Sequence, residues 1–120
     1  MPLILVVDDD PDQLEIRRFL LEASGFDVRT ASTVTEAERL FVECVPALVV
    51  TDLRLPTPAD GIGMIRRMRA CGAGVPIVVL SGMVSDLSWV EEGLADEVLQ
   101  KPFRPDRFLE IVHEYTHGPR

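Results

Sequence analysis

The chain has little of what several large functional classes need. It has two cysteines, Cys44 and Cys71, without metal-type spacing. They form no disulfide framework, and a reducing cytoplasm is the expected setting. Basic residues are scarce: 12 Lys and Arg stand against 20 Asp and Glu, for a formal charge of −8. Nucleic-acid binding runs mainly on basic surface, so no direct contact with DNA or RNA is expected. No apolar run approaches membrane-spanning length, and the short apolar stretch near the N-terminus lacks a basic leader. The expectation is therefore no membrane span and no signal peptide. Internal repeats, linkers and low-complexity segments are also missing. What is present is 120 residues, 47% of them apolar. That is enough for one domain over residues 1–120 with one hydrophobic core.

The apolar residues fall into an alternating series. Leu3 to Val7 is a short continuous run, the mark of a strand buried on both faces. Asp10-Pro11-Asp12-Gln13 reads as a helix start, with Asp10 as N-cap, Pro11 at the first position and Gln13 reaching back. The helix runs to Gly25, and Phe26 to Ala31 reads as a second strand. Thr33 to Glu36 is a second capping box, followed by Val34, Ala37, Leu40, Phe41 and Cys44 at helical spacing and closed by Pro46. Ala47 to Thr51 reads as the third strand and Leu55 to Gly61 as a proline-rich loop. Ile62, Ile65 and Met68 mark a third helix, weakened by Gly63. Ile77 to Leu80 and Glu97 to Leu99 are two further strands, with a short helix between them over 85–93. Pro105 opens a last helix carrying Phe108, Ile111, Val112 and Tyr115. Strands and helices in alternation predict right-handed crossovers and a parallel sheet between helix layers.

Ligands in such sheets bind beyond the carboxyl ends of the strands. Four strand ends carry chemistry: Asp8 and Asp9, Asp52, Ser81, and Lys101. All of them land on one rim. Three carboxylates in one pocket repel each other, and a hard dication such as Mg²⁺ resolves this. One of the acids can then attack phosphorus to form an acyl phosphate. Lys101 supplies a cation for phosphoryl oxygens, and the Ser81 hydroxyl can bond to a new phosphate.

These residues, with Thr51-Asp52-Leu53-Arg54-Leu55-Pro56, the Asp60-Gly61 turn and Lys101-Pro102-Phe103, make the chain resemble the receiver domain of bacterial two-component response regulators over nearly its full length. The resemblance implies a flavodoxin-like fold: a five-stranded parallel sheet of order 2-1-3-4-5 sandwiched by five helices. It implies that Asp52 is the phosphoacceptor, that Ser81 is the switch hydroxyl, and that Lys101 pairs with the phosphate. It implies Mg²⁺ held by Asp9, by Asp8 largely through water, by Asp52 and by the carbonyl of Arg54. The bond before Pro102 is expected to be cis. A histidine kinase or phosphotransfer protein would supply the phosphoryl group, and an output domain or effector would read the result. The chain is then a signalling phosphoacceptor with self-dephosphorylation rather than an enzyme.

Departures from the family pattern accompany the match. The loop from Pro56 to Asp60-Gly61 has one residue more than the usual spacing, and the stretch from Ser81 to Lys101 is about two residues short. Val98 stands where many receivers carry a tyrosine or phenylalanine that swings inward. Gly82 stands where alanine is frequent in the family, and Arg54 and Met83 occupy positions that, by the resemblance, would flank the water path to the acceptor. His113 and His117 read as solvated residues at the end of the last helix, and Trp89 as half-buried packing. Two rival readings stay open. A haloacid-dehalogenase-type Mg²⁺ phosphohydrolase would use Asp8 as nucleophile and Asp10 as acid/base. A receiver-like adaptor would work without phosphorylation. Homodimer formation through the face of the last two helices is compatible with the pattern, though no distinctive residue specifies it.

Overall fold

Five parallel strands pair in the order β2-β1-β3-β4-β5, in a computed structural model that describes residues 2–82 and 93–117. The strands are β1 (Leu3–Val7), β2 (Asp27–Ala31), β3 (Leu48–Asp52), β4 (Ile77–Ser81) and β5 (Glu97–Gln100). Four helices are seen among the described residues: α1 (Pro11–Ala23), α2 (Val34–Cys44), α3 (Pro58–Ala70) and α4 (Pro105–His117). The expected fifth helix, over 85–93, falls almost wholly outside the described residues, as do Met83 and Trp89.

The central strands are apolar on both faces because both faces are covered. β1, β3 and β4 are almost wholly buried, whereas the edge strands β2 and β5 are only partly so. One face packs Leu5, Val7, Val49 and Val79 against Ala37, Leu40 and Phe41 of α2 and Ile62, Ile65 and Met68 of α3. The other packs Ile4, Val6, Val50 and Val78 against Leu14 and Leu21 of α1 and Phe108, Ile111 and Val112 of α4. Burial of each such large side chain contributes about 1.5–3 kcal/mol.

Helix starts follow side-chain chemistry, with two differences from the sequence expectations. At α1, Asp10 caps as expected, accepting from the Asp12 N–H at 2.9 Å. Gln13 does not reach back; its Oε1 accepts from Arg17 Nη2 at 3.3 Å. α3 starts three residues earlier than the expected loop end at Gly61. Thr57 and Asp60 form a reciprocal capping box there, so Asp60-Gly61 is the helix's first turn rather than a free one. α2 ends at Val45 in the left-handed conformation, φ 42°. That conformation crowds a β-branched side chain, and Val45 is exposed with little packing to compensate.

Strand register places the site. Val7 pairs with Thr51, so Asp8 and Asp52 continue neighbouring strands. Asp52 pairs with Leu80, so Ser81 comes next on the other side. Ser81 in turn pairs with Gln100, the residue before Lys101.

Candidate functional site

Asp52 ends β3 and is half-buried. Its Oδ1 accepts from the Leu53 N–H at 2.7 Å, and its Oδ2 accepts from Lys101 Nζ at 2.9 Å. The Lys101 main chain is tied to the same rim, because its N–H donates to the Ser81 carbonyl at 2.7 Å. The Lys101–Pro102 peptide is cis, as the resemblance implies. Ser81 is fully buried at the end of β4. A Cβ added at Gly82 would meet only Lys101 Cδ, at 3.8 Å, so glycine is not required there by space.

The acids share one electrostatic field. The Asp9 carboxyl is raised above its ordinary range, first by burial and then by the charges of Asp8 and Asp52. Asp8 behaves differently. It is 1% exposed, and its carboxylate is fully engaged by protein groups. Oδ1 accepts from the Asp10 N–H at 2.9 Å, and Oδ2 accepts from the guanidinium of Arg17, itself 3% exposed. Among the described residues no three acidic, histidine or cysteine side chains close on one metal-sized space.

The donor set nevertheless has the chemistry of a hard-cation site. Asp9 and Asp52 supply carboxylate oxygens, the exposed Arg54 follows two residues on with its carbonyl, and hard dications take oxygen ligands while keeping water. After burial, the charges of Asp8 and Asp52 add to the rise of the Asp9 carboxyl, and a dication would relieve that second part.

Arg17 was missed in the sequence. Its signal was an arginine on the Leu14, Arg17, Leu21 stripe, the buried face of α1. His113 is exposed, as expected, and its ring also packs on Phe26 with centroids 5.0 Å apart. The position lacking an aromatic, Val98, is partly buried against the α2 and α3 face of the core. Cys44 and Cys71 are free thiols.

A parallel sheet of this order, with acids, a hydroxyl and a lysine gathered at the carboxyl ends of its strands, defines a flavodoxin-like domain built for phosphoryl chemistry. Comparison with known proteins gives the family. Residues 4–113 match the response regulator receiver domain model, and the chain belongs to that family, the phosphorylation-accepting domains of two-component systems. It is 40% identical over 105 residues to the transcriptional regulatory protein PrrA of Mycobacterium leprae, covering 85% of this chain and 44% of that protein. It is 40% identical over 112 residues to the DNA-binding response regulator MtrA of Mycolicibacterium smegmatis, covering 91% and 48%. The chain thus spans about half the length of the curated relatives it matches. Among solved structures, a receiver domain protein from Clostridium thermocellum superposes with a TM-score of 0.87 at 27% identity, covering 98% of this chain and 95% of that one. The response regulator TrrA of Thermotoga maritima, in complex with Mg²⁺-BeF, superposes with a TM-score of 0.86 at 28% identity, covering 96% and 99%.

Proposed function

We propose that Asp52 accepts a phosphoryl group from the phosphohistidine of a histidine kinase or phosphotransfer protein, with Mg²⁺ as cofactor. One observation carries this reading: Lys101, 49 residues away in sequence, sets its ammonium 2.9 Å from Asp52 Oδ2. A carboxylate oxygen of Asp52 forms a bond to phosphorus as the donor's phosphorus–nitrogen bond breaks, and the electron pair leaves with the imidazole nitrogen. When bound, Mg²⁺ supplies positive charge to the phosphoryl oxygens. Asp9, Asp52 and the Arg54 carbonyl would hold it, with Asp8 at the margin. Lys101 already pairs with the acceptor, so it is placed to pair with the transferred group. Ser81, one strand over, would follow the new charge.

The added charge then biases the surface around β4 and β5. Val98 offers no ring to swing, so output passes through main-chain and surface changes near Ser81. PrrA and MtrA carry regulatory and DNA-binding names. The excess of acids in this chain argues that any contact with DNA would be made by another domain or partner.

The hydrolase reading needs Asp8 and Asp10 free for chemistry. Asp8 is paired with Arg17 in the resting protein, and Asp10, the acid/base of that reading, is taken up as the N-cap of α1. The test is incubation with Mg²⁺ and a small acyl phosphate donor, followed by intact mass. A gain of one phosphoryl group in the wild type, lost in Asp52→Asn, is the expected result. A gain that persists in Asp52→Asn would overturn the assignment.

A further inference from the structure

The buried ion pair between Asp8 and Arg17 has a part in this site that the family pattern does not assign. Arg17 sits on the inward stripe of α1 between Leu14 and Leu21, where an apolar side chain would pack. Its guanidinium instead reaches the end of β1 and holds the Asp8 carboxylate. A buried charge survives only when paired, so each residue compensates the other. The Asp8 oxygens are divided between Arg17 and the Asp10 N–H. The cluster of Asp8, Asp9 and Asp52 therefore carries one fewer uncompensated charge than its residues imply.

We propose that Arg17 is a resident counter-ion of the acidic site that competes with the divalent cation for Asp8 and so weakens metal binding. The inference rests on the reading of Asp9 and Asp52 as the cation site. Two features let the guanidinium give way. Gln13 Oε1 already accepts from its second nitrogen at 3.3 Å. Arg17 also borders an open cavity of about 480 Å³, with Lys101 and Phe103 on its other side, into which it can withdraw. While it holds Asp8, the guanidinium repels an incoming dication, and the freed carboxylate would attract it. Arg17 is thus a positioning residue that sets how much metal the protein requires before Asp52 can react.

The test is calorimetric titration of Mg²⁺ into unphosphorylated wild type, Arg17→Met and Arg17→Gln. Glutamine keeps a hydrogen-bond donor for Asp8, so this variant retains the fold if methionine at that position does not. Both neutral variants should bind Mg²⁺ at least tenfold tighter than the wild type. The direction is diagnostic, because loss of a merely structural contact would loosen the site. Unchanged or weaker binding by folded Arg17→Gln, with the wild type still binding Mg²⁺, overturns the role of Arg17 alone. Absence of binding from all three proteins overturns this role and the cation site together.

Discussion

The first turn of α3 lies directly on the residue after Asp52: a Cβ built on Gly61 would stand 1.9 Å from the carbonyl oxygen of Leu53. That neighbour is main chain and cannot rotate away. Leu53 also donates its N–H to Asp52 Oδ1, so the helix start and the acceptor share one peptide segment. Gly61→Ala should cost at least about 1–3 kcal/mol by overpacking and slow phosphorylation of Asp52. Gly63→Ala is the contrast. Its Cβ would meet only Arg67 Nη1, at 3.2 Å, the far end of a flexible side chain. There the gain in helix propensity, up to about 1 kcal/mol, should leave stability unchanged or higher. Chemical denaturation of both variants, paired with phosphorylation rates, separates the two sites.

Lys101 tests the site with little effect on the fold. Its pairing with Asp52 is partly solvated, both side chains keeping some exposure. Lys101→Met should therefore change stability by no more than about 1 kcal/mol. Phosphorylation depends on charge that develops on the phosphoryl oxygens, where removing one positioned donor costs roughly tenfold or more. The expected result is a near-native melting curve with a phosphorylation rate reduced by that factor. A wild-type rate would mean that the pairing with Asp52 does not extend to the transferred group.

The rim was legible in the sequence because a buried strand must end where polarity returns. Apolar runs stopping at Asp8, Asp52, Ser81 and Lys101 located the strand ends to within a residue, and the parallel order followed from the alternation. Arg17 was not legible for a physical reason. Helical periodicity locates a buried face, but an arginine on it has meaning only once its partner is placed, and Asp8 reaches it through the fold. The start of α3 was hidden by local chemistry. Asp60-Gly61 carries turn residues, and Thr57 lies among prolines, so the Thr57 and Asp60 capping pair looked like a loop. The glycine was a packing requirement against Leu53, which no local pattern encodes.

The capping box makes its own prediction about pH. The Asp60 carboxyl is held below its ordinary range, chiefly by the Thr57 hydroxyl at 2.6 Å and then by the Thr57 N–H at 3.1 Å. A depressed carboxyl contributes stability above its unfolded value, about 3.9, and loses it as pH falls through the lower folded value. The difference in stability between wild type and Asp60→Ala should therefore be constant near neutrality and shrink in acid. Thr57→Ala removes the cap for α3 and should cost about 1 kcal/mol at neutral pH. Denaturation midpoints collected from neutral pH down into the carboxylate range check both expectations.

Asp9 should titrate with the opposite sign. Burial, then the charges of Asp8 and Asp52, raise its carboxyl in the folded protein. An acid raised on folding destabilises the fold where it is ionised, and that penalty fades as pH falls through its folded value. Removing the partly desolvated charge, and with it the repulsion from Asp8 and Asp52, should thus make metal-free Asp9→Asn more stable than the wild type at neutral pH, the gap closing in mild acid. Cation binding runs the other way, because only the ionised carboxylate can ligate. Mg²⁺ affinity of the wild type should begin to fall at a pH above the ordinary carboxylate range, as protons compete for Asp9. Asp9→Asn should bind Mg²⁺ weakly at every pH and lack this upper part of the dependence. Calorimetric titrations of both proteins at stepped pH decide the matter. An Asp9→Asn protein that keeps wild-type affinity would move the cation away from Asp9.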